Sequence, residues 1–171
     1  MDPKTVALID AWHWSYVDFD LVFQELAPQN LSRRPDPGSL AICEHVAHLL
    51  RSEASIISRY LFGEAEEAWA DHGMLQPPFG WPPDILAGPV DPRFEEFGVE
   101  EICAFAWDRH NKLVEDARGL DLPITFTFAD DWAGPAPTVE VRLRYAAYHV
   151  GYHVGQMYQT RHLLGERTPE N

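Results

Sequence analysis

Apolar residues recur every three or four positions in four separate stretches, which is the spacing of one face of an α-helix. The predicted helices cover Thr5–Ala27, Ser39–Leu61, Val99–Arg118 and Val139–Leu164. Pro28 ends the first helix, and Ser39 is the predicted N-cap of the second. Apolar residues alternate with threonines over residues 124–128 and predict a short strand. The pattern as a whole predicts an all-α fold, a four-helix bundle in one domain over residues 1–171.

The stretch between the second and third predicted helices, residues 64–98, has a different composition. It is rich in proline and acidic residues, and Arg93 is its only basic residue. A connection of this length is uncommon in a compact domain. Its aromatic side chains predict that it packs against the bundle: Trp69, Phe79, Trp81, Phe94 and Phe97. We therefore predict a long crossover connection that is either a lid over a site or a contact between subunits.

The first predicted helix carries a second, smaller apolar strip made of Trp14, Val17 and Leu21. A single bundle does not need this strip for its core. Together with the aromatic residues of the crossover, it is more apolar surface than a monomer usually exposes. The chain is therefore predicted to form a twofold homodimer, the commonest symmetric assembly.

Charge excludes several classes of partner. The formal net charge is -14, so a nucleic-acid partner is not expected, because phosphate binding needs a basic surface. Docking on an anionic membrane is not expected either.

The apolar N-terminal stretch is interrupted by Asp10 and His13, which argues against a signal peptide or membrane span. Cys43 and Cys103 form no C-x-x-C pair, so the predicted location is the cytoplasm.

Two histidines in the fourth predicted helix are candidates for metal binding. His149 and His153 are four residues apart, so their side chains lie on one helix face. That face also carries Val150 and Met157, which predicts that both imidazoles point into the bundle. Buried imidazoles need partners, which are either hydrogen bonds within the core or a metal ion. The H-E-x-x-H motif of zinc proteases is absent, because Val150 follows the first histidine.

The segment from His149 to Gln156 reads H-x-x-x-H-x-G-Q and resembles the closing motif of the DinB/YfiT-like family. Residues 41–53 resemble that family's second-helix pattern S-I-x-E-x-x-x-H-L-x-x-x-E, with His48 at the ligand position. Two positions depart from the family, which often has Arg at Val154 and Trp at Leu40. The resemblance implies a four-helix bundle that holds one divalent metal ion on three histidines. Those three are His48, His149 and His153.

The resemblance also implies a function. Several members of the family are thiol-dependent transferases, which suggests an S-transferase or isomerase acting on a small-molecule substrate. The implied cofactors are a divalent metal, with Zn favoured over Ni or Fe, and a low-molecular-weight thiol. Two alternatives stay open: a non-catalytic dimeric module that binds a metal or small ligand, and a metal-dependent hydrolase. The hydrolase needs a carboxylate beside the metal as general base.

Helical periodicity and the family motif disagree about the ligand on the second helix. On a helical wheel His48 falls toward the polar side, whereas His45 lies closer to the apolar edge. The wheel therefore favours His45, while the motif favours His48.

His110 lies within the apolar stripe of the third helix, either lining a pocket or hydrogen-bonded in the core. Glu53 lies in the stripe of the second helix, which predicts a buried partner that could be a metal-binding histidine.

Overall fold

The computed structural model describes residues 1–61, 78–79, 84–119, 123–127 and 137–169. In this part of the chain the fold is all-α, as predicted. Its α-helices are α1 (Pro3–Trp14), α2 (Pro28–Leu31), α3 (Ile42–Ala54), α4 (Val99–Arg118) and α5 (Val139–Leu163). A π-helical segment, Ser55–Leu61, continues α3, and 3-10 turns cover Asp20–Val22, Ile85–Ala87 and Pro92–Glu96. Where a strand was predicted, the described residues make only an isolated antiparallel bridge between Thr127 and Thr138.

The four longest helices form the bundle. α1 and α3 each pack against both α4 and α5, so the four helices close a ring around one core. The apolar stripes that predicted the helices supply that core, whose fully buried members include Ile9, Trp12, Leu49, Ile102 and Leu143. Among the helices described here, none is long and apolar enough to cross a membrane.

The first helix is shorter than predicted, ending at Trp14 instead of Ala27. Arg161 in α5 is almost fully buried, and its Nη1 donates hydrogen bonds to the carbonyls of residues 21, 22 and 24 at 2.9–3.0 Å. A continuous α-helix would use those carbonyls for its own i to i+4 bonds. Glu25 has a φ of 55°, which also breaks the helix. The apolar positions after Trp14 still reach the core, but from turns.

The second helix begins at Ile42, two residues later than the predicted N-cap at Ser39 implied. The Ser39 hydroxyl donates instead to Asp36 at 2.7 Å within the preceding turn. The Glu44 carboxylate accepts from the Ala41 N–H at 2.9 Å and so caps the helix that starts at Ile42. The third and fourth predicted helices are confirmed: α4 has the predicted ends, and α5 ends one residue early.

The described part of the long connection packs against the bundle, as its aromatic residues predicted. Phe79 and Phe94 are buried, with ring centroids 5.7 Å apart. Phe79 also stacks on Phe105 of α4 at a centroid distance of 4.5 Å. Trp69 and Trp81, which belong to the same prediction, lie outside the described residues. Burial of the phenylalanines within one chain means that these rings contribute no apolar surface to a subunit contact.

Candidate metal centre

Three histidines from two neighbouring helices come together at the contact between α3 and α5. His48 lies on α3, and His149 and His153 lie one turn apart on α5. One ring nitrogen from each of the three lies within 4.8 Å of the others. The Nε2 atoms of His149 and His153 are 3.1 Å apart. The gathered set is the one that the family motif predicted, and its distances are those of a group that could share one ion.

Burial keeps these imidazoles neutral at neutral pH. It lowers the pKa of His48 to about 4 and that of His153 to about 3, with the neighbouring histidines acting in the same direction. Burial also lowers the pKa of His149, although the negative charge of Glu53 opposes that shift. A metal ion needs the neutral imidazole as its ligand. The site therefore presents ligands in the required protonation state without having to release protons.

The donor set fits a divalent transition metal. Ligands held 2.0–2.1 Å from a tetrahedral Zn²⁺ lie about 3.3 Å from one another, close to the His149–His153 separation. The Nδ1 atom of His149 is buried and makes no hydrogen bond within the described residues. A pair of such imidazoles is costly to bury unless something binds them. Among the described residues no fourth His, Cys, Asp or Glu joins the group, and three-ligand sites are typical of catalytic metals.

His45, the ligand that the helical wheel favoured, lies next to the group but outside it. Its side chain is only 4% exposed, whereas that of His48 is half-buried. Its ring centroid is 5.8 Å from that of His153, compared with 4.5 Å for His48 and His153. Burial lowers the pKa of His45 to about 4, so it too is neutral. The helical wheel correctly predicted that His45 is more deeply buried than His48. Burial, however, does not decide which of the two histidines contacts the histidines of α5.

Two tyrosines that were not singled out from the sequence border the three histidines. The Tyr145 ring centroid is 5.5 Å from that of His149, and the Tyr152 centroid is 5.0 Å from that of His153. The Tyr152 hydroxyl accepts a hydrogen bond of 3.1 Å from Nε2 of Gln156. Gln156 thus contacts its own helix instead of bridging to another. Tyr145, His149 and Tyr152 stand at positions i, i+4 and i+7 of α5. This spacing is the sequence signal that could have identified the two tyrosines.

Glu53 is fully buried and accepts three hydrogen bonds. Trp12 Nε1 and the Tyr16 hydroxyl each donate to it at 2.6 Å, and Nδ1 of His110 lies 3.1 Å away. The prediction of a buried partner for Glu53 is confirmed. The partner histidine is His110, however, and no hydrogen bond joins Glu53 to His149. No sequence pattern connects Trp12 or Tyr16 with Glu53, because the three are brought together by helix packing alone.

His110 is a hydrogen-bonded core residue, one of the two roles considered for it. A carboxylate only accepts, so His110 donates from Nδ1 to Glu53. Nε2 of His110 lies 3.1 Å from Nδ1 of His13, and these two ring nitrogens share a second hydrogen bond. Burial and the neighbouring His110 lower the pKa of His13. A line of hydrogen bonds therefore runs from the half-buried His13 to the buried carboxylate.

Comparison with known families agrees with this geometry. A family model described as the DinB superfamily matches residues 11–157 of the chain. The matched span contains His48, His149 and His153 together with the Glu53 network. Comparisons with curated proteins and with solved structures found no match.

Proposed function

This chain belongs to the DinB superfamily, and from that membership we propose that it is a metal-dependent enzyme whose ion is held by His48, His149 and His153. The observation that carries the proposal is the gathering of three neutral ring nitrogens within 4.8 Å, from two helices that the fold packs together. A three-histidine set leaves coordination positions for water or substrate. We favour Zn²⁺, while Ni²⁺ and Fe²⁺ suit the same donors.

The chemistry that we propose is transfer of a low-molecular-weight thiol to a small electrophilic substrate. A divalent ion bound here would supply Lewis acidity that lowers the pKa of a thiol or water. In the net reaction the thiol proton is released, sulfur forms a bond to an electrophilic carbon, and the leaving group departs with its bonding electrons. Tyr145 and Tyr152 flank the histidines and would shape the space in which the substrate lies.

The three described ligand candidates favour an enzyme over a module stabilised by metal. A structural site usually closes the ion with a fourth protein ligand. Within the described residues the group contains none. These observations support thiol transfer as the first reaction to test.

We also propose a homodimer in the cytoplasm. Trp14 is 71% exposed and Val17 is 52% exposed, as expected of an apolar strip that the bundle does not cover. A twofold contact through this strip would remove both side chains from water. The acidic chain with unpaired cysteines is suited to a reducing compartment.

Metal content and thiol transfer should be measured on the same preparations. We expect about one divalent ion per chain in the wild type, and loss of both the ion and turnover in His153→Ala. The matched control is His162→Ala, which removes an exposed histidine of α5 and should change neither. Turnover should be assayed with small thiols and a panel of electrophiles.

Three outcomes would decide between the functions considered. Equal thiol-transfer rates in the wild type and His153→Ala would refute metal-assisted transfer. Loss of helix content on metal removal would instead support a structural ion, because an enzyme of this fold should keep its four packed helices without the metal. A wild type that retains no divalent ion after metal loading would refute the metal site itself.

A further inference from the structure

A cavity of about 330 Å³ lies beside the three histidines. It is formed by the start of α3, the last turns of α5 and one residue of the long connection. Residues that line it include His45, Leu86, Gln156, Gln159, Thr160 and Leu163. Its size is at the lower end of the range for small-molecule sites. None of the three candidate metal ligands lines it, so it is a separate space.

His45 and Gln156 connect this cavity with the candidate metal centre. His45 lines the cavity, and its ring centroid lies 5.8 Å from that of His153. Gln156 also lines the cavity, and it follows His153 by one helical turn. A hydrogen bond with Gln156 opposes the lowering of the His153 pKa, whereas Nδ1 of His45 is buried and has no hydrogen-bond partner within the described residues. A polar group left in this state is unusual and points to a missing partner.

The cavity is uncharged in a strongly acidic protein. The chain has a formal net charge of -14, yet no Asp, Glu, Lys or Arg is among the described residues that line this space. Its buried side is polar, since His45 and Thr160 are each only 4% exposed. Its outer edge is apolar, since Leu86 and Leu163 are exposed leucines. A charged ligand would lose hydration here without gaining a counter-charge.

We propose that this cavity binds the uncharged end of the substrate, a carboxamide or hydroxyl group attached to a short apolar chain. His45, Gln156 and Gln159 are the contact residues for the polar group. Leu86 and Leu163 contact the apolar part. The inference rests on the proposed function in one respect, because the reacting end of the substrate is taken to lie at the three histidines. It gives His45 a role that does not require it to bind the metal.

Three probes of equal chain length test the charge preference. Pentanamide, pentanoate and pentylammonium differ only in the head group. Binding to the metal-loaded protein should be followed by ligand-detected NMR and by the side-chain amide signals of Gln156 and Gln159. We expect pentanamide to bind at least about tenfold more tightly than either ion, because burying an unpaired charge is costly.

Variants locate the binding. His45→Leu and Gln159→Leu should each weaken pentanamide binding by about tenfold through the loss of a hydrogen-bond partner. Gln159 is exposed, so its replacement keeps the fold even if the change at His45 does not. Asn111→Leu changes an exposed amide on α4 and is the control, with unchanged binding expected. Metal content should stay at the wild-type level in all three variants.

Equal binding of the three probes, or unchanged binding in His45→Leu and Gln159→Leu, would overturn the inference while leaving the metal site intact. Loss of metal in folded His45→Leu would make His45 a ligand and remove it from this cavity. A wild type without metal would contradict the proposed function, and probe binding would still report on the cavity by itself.

Discussion

Replacing the buried Glu53 by leucine should destabilise the protein by about 3–6 kcal/mol. The change removes the acceptor of three buried donors, on Trp12, Tyr16 and His110. Each buried donor left without a partner costs about 1–3 kcal/mol, and relief from burying a carboxylate offsets part of the sum. The expected loss is a large share of the roughly 5–15 kcal/mol by which domains are stable. For a chain of this length it lowers the melting temperature by roughly 6–24 °C.

A double-mutant cycle with Tyr16→Phe tests the reason for this loss. In the wild-type background Tyr16→Phe removes a hydrogen bond to a carboxylate, which is worth about 1.5–3 kcal/mol. In the Glu53→Leu background the same change removes a hydroxyl that has already lost its acceptor, so it should be neutral or stabilising. The expected coupling is therefore about 1–3 kcal/mol.

The assay is urea unfolding followed by circular dichroism and tryptophan fluorescence, whose agreement checks two-state behaviour. Glu115→Leu, an exposed glutamate of α4, is the control and should change stability by no more than about 0.5 kcal/mol. Additive effects of Glu53→Leu and Tyr16→Phe would refute the reasoning, since they would mean that the two side chains do not depend on each other.

Three further predictions concern other parts of the chain. Burial, reinforced by the charge of Glu53, raises the pKa of Tyr16 well above its usual value, so the unfolded chain releases this proton first. The contribution of Tyr16 to the free energy of unfolding should be fully present below about pH 10 and be lost as the pH rises further. The free energy of unfolding should therefore fall less at alkaline pH in Tyr16→Phe than in the wild type. Parallel alkaline unfolding curves of the two proteins would contradict this. Arg161→Met should cost about 3–5 kcal/mol, because it leaves the carbonyls of residues 21, 22 and 24 without their buried donor. Hydrogen exchange in the segment 20–26 should increase, and unchanged exchange there would argue against this reasoning. Trp14→Glu should convert the proposed dimer to a monomer in sedimentation, and a wild type that is monomeric at micromolar concentration would show that the dimer prediction is wrong.

Helical periodicity was most reliable where local signals agreed with it. α4 has the ends that the sequence predicted, and α5 ends within one residue of its prediction. In α5 the Thr138 side chain accepts from the Val141 N–H at 3.2 Å, and Gly165 ends the helix with a φ of 82°. These are interactions between residues three or four apart, so they are encoded in a short segment. The spacing of His149 and His153 is local in the same sense.

The sequence alone failed where distant residues compete for the backbone. The apolar stripe of Thr5–Ala27 is continuous, but Arg161 takes carbonyls that a helix would need, 137–140 residues away along the chain. Glu53 is a comparable case, because its apolar surroundings predicted a partner without identifying it. Trp12, Tyr16 and His110 reach it from two other parts of the bundle.

The choice between His45 and His48 shows the same division at the candidate site. A helical wheel ranks positions by depth, and it correctly placed His45 deeper than His48. A ligand, however, must meet the histidines of α5 at the edge where two helices touch, and the half-buried His48 does so. The sequence by itself determined the helices, their apolar faces and the pair on α5. The family motif and the helical wheel disagreed about the third histidine. Only tertiary packing decided which of the two candidates joins that pair, because the distance between two helices depends on how their side chains fit together.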